Sequence, residues 1–206
     1  ANEIRTATGD NRITRVPYDS IKPVDVFCDL GWSDNTSLWF AQRVGFEWHI
    51  LESYQNRQQA WDHYLKYVQS RGYVIGTLWL PHDAKAKSLA TGRTIHEISM
   101  ASGFKTQIVP NISIEDGINA ARMVFPNVYI DAEKCADGIQ ALRRYRYEID
   151  PDTNQWDRRP LHDEYSHYAD GFRYFAVAMS DGAGKKRSVP KLVGATATAW
   201  MARLGR

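Results

Sequence analysis

The sequence predicts an α/β fold, a mixed sheet flanked by helices, and three observations carry that reading. Residues 24–30, 36–43 and 47–54 are rich in β-formers and separated by short turns, as in a three-strand antiparallel meander. Beyond them, stretches with helical spacing alternate with short apolar runs, which asks for a mixed sheet with helices laid on it. Residues 73–80 are almost continuously apolar, the pattern of a strand covered on both faces.

Each element has a local reason. Val24, Val26, Cys28 and Leu30 alternate onto one strand face, Phe27 and Asp29 onto the other. Residues 31–35 supply turn chemistry, and Gly45 turns the chain between the second and third strands. Trp61, Leu65 and Val68 mark a helix over 58–71 that stops at Gly72. A helix over 94–102 closes at Gly103, and 105–109 is a further strand. Ser113 and Asp116 resemble a capping box opening a helix to Val124. Helices are expected over 135–147 and 163–179, with a turn at 150–154 that reads as a hairpin tip. The expected order is β-β-β-α-β-α-β-α with further helices after it. Residues 1–23, polar and aperiodic, read as a linker or leader; the folded body is expected over 24–179 and a basic tail over 180–206. In the tail Val193, Ala197, Trp200 and Leu204 share one helical face suited to docking.

Composition narrows the class. At 206 residues the chain has the length of one generous domain, and 43% hydrophobic with 24% charged residues excludes a wholly disordered chain. No apolar run approaches the roughly 20 residues of a bilayer-crossing helix, so no membrane is expected. The first ten residues lack the apolar core of a signal peptide, and Ala1 stands where an intact chain would carry Met. Two cysteines, Cys28 and Cys135, exclude a disulfide scaffold and favour a reduced, intracellular setting. The net charge of +2 divides into +5 over 180–206 and −3 elsewhere. A slightly acidic body suits cations; a basic tail suits nucleic acid or an acidic partner.

Candidate chemistry lies in charges placed among apolar residues. Asp29 ends an otherwise apolar strand, where a lone carboxylate costs several kcal/mol unless paired. Asp83 lies just past the apolar strand at 73–80, and Asp170 lies in the last helix. There Asp163, His167, Asp170 and Tyr174 share a narrow stripe opposite an oily face that includes Phe172 and Phe175. Neighbouring strand ends converge in a mixed sheet, and a helix leans over them. Carboxylates brought together this way repel unless divalent cations sit between them. Oxygen ligation favours Mg²⁺ or Mn²⁺ over zinc, and two such ions activate water and stabilise the leaving oxygen of a phosphodiester. Singly, each acid has an ordinary alternative: a turn or cap residue at Asp29 and Asp83, a solvated helix residue at Asp170, an N-cap at Asp163. His82 and His167 belong to no Cys/His cluster at zinc spacing. Lys85, Lys87 and Arg93 form a basic loop entering a helix N-terminus, which suits phosphate. Arg143, Arg144 and Arg146, interleaved with Tyr145 and Tyr147, offer a second backbone-contacting patch; a solvated helix face is the alternative.

Three stretches together resemble a known family. They are Val26-Phe-Cys-Asp29-Leu-Gly-Trp-Ser-Asp34, Leu80-Pro-His-Asp83-Ala, and Pro160-Leu-His162-Asp163-Glu-Tyr-Ser166-His167-Tyr-Ala-Asp170-Gly-Phe-Arg173-Tyr174. In order and spacing they resemble the nuclease domain of tailed-bacteriophage terminase large subunits. The resemblance covers about residues 12–179 and includes Gly117-Ile-Asn-Ala-Ala-Arg122 and Ala141-Leu-Arg-Arg-Tyr-Arg146. It implies an RNase H/integrase-like fold and a metal-dependent endonuclease that cuts concatemeric viral double-stranded DNA during genome packaging. It also implies Asp29, Asp83 and Asp170 as catalytic carboxylates holding two Mg²⁺ or Mn²⁺ ions, with Asp29 shared between them. Asp163, His167 and Glu52 are then accessory, and Lys85, Lys87, Arg93, Arg143 and Arg144 meet DNA. The implied partners are the portal and the small terminase subunit, the setting is the cytoplasm of the infected bacterium, and the isolated domain is monomeric. The family's motor half has no counterpart, because no Gly-x-x-x-x-Gly-Lys-Ser/Thr loop is present and Gly182-Ala-Gly184-Lys185-Lys186 has the wrong spacing. The expectation is an excised C-terminal part that cuts DNA and does not translocate it. Two alternatives stay open: a Holliday-junction resolvase or transposase-like nuclease on the same fold, and a non-catalytic DNA- or portal-binding module whose acids are structural.

Overall fold

Seven strands form one mixed sheet in the computed structural model, which describes residues 2–89, 91–149 and 156–184. The chain opens with α1 (Asn2–Gly9) and the short β1 (Ile13–Thr14), then runs through β2 (Val24–Asp29), β3 (Asn35–Val44) and β4 (Glu47–Arg57). α2 (Trp61–Ser70) leads to β5 (Ile75–Leu80), a 3₁₀ turn at His82–Lys85, α3 (Ile95–Ala101), β6 (Lys105–Ile108) and α4 (Ile114–Val124). β7 (Val128–Asp131), α5 (Ala136–Arg144), the pair β8 (Tyr147–Ile149) and β9 (Trp156–Pro160), and α6 (Ser166–Gly184) follow. The sheet order is β1-β7-β4-β3-β2-β5-β6, and β3 alone runs against the rest. The expected meander is present, and α2, β5, α3, β6 and α4 fall where helical spacing and apolar runs placed them.

The alternation of β2 sorts its side chains onto two cores, as the sequence pattern requires. Val24, Val26 and Cys28 join Leu38, Phe40 and the Tyr64, Leu65 and Val68 face of α2. Phe27 joins Trp39, Ile50 and the Phe172 and Phe175 face of α6 on the other side. The ring of Phe27 meets Phe175 at 5.1 Å and Trp39 meets Phe172 at 5.5 Å, both edge to face. Gly171 lets α6 approach this closely, since a Cβ there would lie 2.5 Å from Ser37 Oγ.

Several sequence expectations change. Residues 2–23 do not behave as a free leader. Ile4 and Ala7 are buried in the α6-side core. Arg12, 7% exposed, donates to the carbonyls of Phe125 and Val128 at 2.8 and 3.1 Å, and β1 pairs with β7. A two-residue apolar anchor and a buried arginine leave too little periodicity to read. β7, four residues long, is added for the same reason. The helix expected over 135–147 ends at Arg144, where the chain turns extended at Tyr145 and enters β8. α6 starts at Ser166, not 163, and continues to Gly184. Ser113 caps α4 through the Asp116 N–H at 3.0 Å, while the reciprocal capping box belongs to Thr94 and Glu97 at α3. The turn expected at 150–154 and the tail beyond 184 lie outside the described residues, although β8 and β9 do pair antiparallel. Among the described residues no helix is long and apolar enough to cross a membrane.

Candidate active site

The site begins where β2 ends. Asp29 lies opposite Ser37 of β3, and Ser37 Oγ donates to the carbonyl of His167 at 2.8 Å. Next to it Trp39 Nε1 donates to the carbonyl of Tyr168 at 2.9 Å. These two bonds seat the first turn of α6 on β3 and set His167 against Asp29, with Nδ1 3.3 Å from Oδ2. Both side chains are nearly enclosed, 10% and 13% exposed. Burial pushes the Asp29 carboxyl up to about 6; the His167 hydrogen bond opposes this and the negative charge of Asp170 adds to it. The same hydrogen bond raises His167.

Asp170 follows one turn later. Its Oδ1 accepts from Arg173 Nε at 3.1 Å, and the guanidinium lies 4.7 Å over the Tyr174 ring. Gly117 of α4 leaves room for this arginine, because a Cβ there would come within 2.6 Å of its Cδ. Burial foremost, then the charge of Asp29, pushes the Tyr174 phenol up to about 12, and Asp170 and Asp83 push it the same way. One phenol therefore feels acids from β2, from α6 and from the turn after β5. Asp83 reaches that end because β5 pairs in parallel with β2, and the 3₁₀ turn follows directly on Pro81.

Other expected residues are placed differently. Asp163 precedes α6: its Oδ1 accepts the Tyr165 N–H at 2.9 Å and its Oδ2 lies 3.7 Å from Arg146, so the helical stripe keeps only His167, Asp170 and Tyr174. Glu52 faces away from the site. Ala41 pairs with Ile50 and Phe40 with Glu52, so Leu51 is an extra residue that turns Glu52 to the α2 face. There it accepts from Tyr67, Arg71 and Tyr73 at 2.5, 3.0 and 3.1 Å. Lys85, Lys87 and Arg93 are exposed on a ribbon closed by a Lys87–Thr94 bridge. The N–H groups of Thr94 and Glu97 are taken by the capping box, so phosphate there would meet side chains rather than that helix end. Arg143 and Arg144 are exposed at the end of α5, where Arg144 donates to the Tyr165 hydroxyl and lies 5.1 Å over its ring.

Sequence reading passed over Arg173, Asp34 and His162. His162 Nε2 lies 3.9 Å from Asp34 Oδ2, and its ring centroid is 5.2 Å from that of His167. Among the described residues these three, Asp34, His162 and His167, form a group whose ligand atoms all lie within 4.8 Å of one another; Asp29, Asp83 and Asp170 do not form such a group. His162 and His167 are five residues apart, and Asp34 comes from far up the chain, so no local motif announces them. The carboxylates nonetheless fit a hard divalent cation in kind: oxygen donors from three segments, with Asp29 buried beside a like charge that a cation would offset.

An RNase H-like α/β domain with acids at the strand ends is what this geometry describes, and comparison with known proteins points the same way. No family model matches the chain. The terminase large subunit of Escherichia phage T5 is 26% identical over 162 residues, which are 75% of this chain and 35% of that protein. The full-length large terminase of a thermophilic bacteriophage aligns at a TM-score of 0.65 and 14% identity, over 82% of this chain and 42% of that one. The large terminase nuclease of the thermophilic phage G20c with bound cobalt aligns at a TM-score of 0.58 and 14% identity, over 82% of this chain and 94% of that one. The same nuclease has also been solved with bound magnesium. The chain thus spans less than half of the first two of these proteins and has the fold of terminase nuclease domains, as the sequence resemblance implies.

Proposed function

We propose that this chain is a metal-dependent endonuclease that cuts concatemeric viral double-stranded DNA during genome packaging. The observation that supports it most directly is the Asp29–His167 contact at 3.3 Å, with Asp170 one turn along α6 and Asp83 acting on the same phenol. Asp29, Asp83 and Asp170 would hold the Mg²⁺ or Mn²⁺ ions. When bound, such ions supply an activated water and stabilise charge on the phosphate and leaving oxygen.

The surrounding side chains have distinct tasks. His167 donates its Nδ1–H to Asp29 and holds that carboxylate in one orientation. Arg173 fixes Oδ1 of Asp170 and leaves Oδ2 to the site. Tyr174, with its phenol pushed up to about 12, stays protonated at neutral pH and acts as a donor, not a base. Lys85, Lys87, Arg93 and Arg143 meet backbone phosphates, contacts that carry little sequence information. Asp163 shapes the turn before α6 and supports the site from outside it. By analogy with terminase large subunits, the portal and the small subunit are the partners, and the infected cell's cytoplasm is the setting.

Nicking of supercoiled plasmid in Mn²⁺ tests this. Asp29→Asn, Asp83→Asn and Asp170→Asn should each abolish nicking while the protein remains folded; full activity of the Asp29 variant would overturn the assignment.

A further inference from the structure

The geometry points to a further metal site, formed by Asp34, His162 and His167, that takes a transition-metal ion such as Zn²⁺ or Co²⁺ in preference to Mg²⁺. The proton inventory supports it. Ser166 Oγ donates its hydrogen to the Asp163 carbonyl at 2.7 Å and therefore accepts from His162 Nδ1–H at 3.1 Å. A neutral His162 so oriented carries its lone pair on Nε2, and Nε2 faces the Asp34 carboxylate at 3.9 Å. Two acceptors facing each other repel unless a cation lies between them. His167 is held in the same sense, its Nδ1–H on Asp29, which leaves Nε2 as the free donor.

Imidazoles whose second nitrogen is hydrogen-bonded to a carboxylate or hydroxyl are the usual form of metal-binding histidine. Two imidazoles and one carboxylate, with a position left for water, suit tetrahedral Zn²⁺ or Co²⁺. Mg²⁺ prefers oxygen donors alone in an octahedron and competes poorly. Donors around a tetrahedral ion stand about 3.4 Å apart, so the His162–Asp34 gap has to close by about half an ångström. Both side chains are exposed, at 67% and 59%, and are free to make that adjustment. A bound ion would strap the turn after β2 to the start of α6 and hold His167 in place against Asp29. This does not depend on the nuclease reading, since it concerns different ligands and a different class of ion.

Titration of the full chain with Co²⁺ under excess Mg²⁺ tests it. One Co²⁺ per chain should bind with the intense visible absorption of a four-coordinate ion, and Zn²⁺ should displace it. His162→Ala and Asp34→Asn, both at exposed positions, should each weaken binding by at least about tenfold. Asp83→Asn should leave the Co²⁺ spectrum unchanged even where plasmid nicking is lost, which separates this site from the catalytic acids. No bound Co²⁺, the faint spectrum of a six-coordinate ion, or equal affinity in His162→Ala would overturn the proposal.

Discussion

Asp29 and His167 lie 138 residues apart in the chain and meet at 3.3 Å, which ties the first strand of the meander to the first turn of the last helix. The contact has a measurable role. His167→Ala should lower nicking by about 10- to 100-fold, as loss of a residue that orients a metal ligand commonly does. His167→Asn keeps an N–H donor and should retain more activity than His167→Ala. Equal activity of the two variants would show that the donor does not matter.

The same pair gives stability a pH dependence. In the folded chain Asp29 titrates at about 6, above its ordinary 3.8, so the native state binds more protons than the unfolded state between those values. Stability in EDTA should therefore fall as pH rises through that window, by up to about 3 kcal/mol from this group. His167 is also raised, so its contribution is present at low pH and is lost as pH rises through its folded value, extending the fall upward. The difference in melting temperature between wild type and Asp29→Asn, followed from pH 4 to 8, isolates the effect. The variant should gain relative stability as pH rises; parallel curves would contradict the assignment.

Arg173 and Asp170 form an ion pair at 3.1 Å with the guanidinium 9% exposed. Arg173→Leu leaves Asp170 without its partner and should cost about 2 kcal/mol in urea unfolding, somewhat less than loss of a fully buried pair. Adding Asp170→Asn should recover part of that loss. Strictly additive effects would mean the two residues are not coupled.

The N-terminal helix supplies a test away from the site. Ile4 is 2% exposed in the main core, so Ile4→Ala should destabilise the domain by about 2–4 kcal/mol, measured by chemical denaturation. An unchanged midpoint would restore the reading of residues 1–23 as a leader.

The parts of the fold that were legible in sequence are those with repeated patterning. Alternation in β2 foretold which face each of its residues takes, and the spacing of Trp61, Leu65 and Val68 foretold α2. Helical periodicity likewise placed His167, Asp170 and Tyr174 on one stripe. What was hidden depended on single contacts between distant segments. Arg12 is buried because two carbonyls 113 and 116 residues away accept from it. Glu52 leaves the site because one extra residue in β4 reverses the alternation. Asp34 and His162 look like solvated loop residues until the fold places them side by side.

The central claim is that acids from β2, the turn after β5 and α6 share divalent cations. Anomalous diffraction from a crystal soaked in Mn²⁺ measures this directly. The account predicts Mn²⁺ at the end of β2, in contact with Asp29 and with Asp83 and Asp170 on either side. Mn²⁺ bound only at positions that none of these three aspartates touches would contradict it.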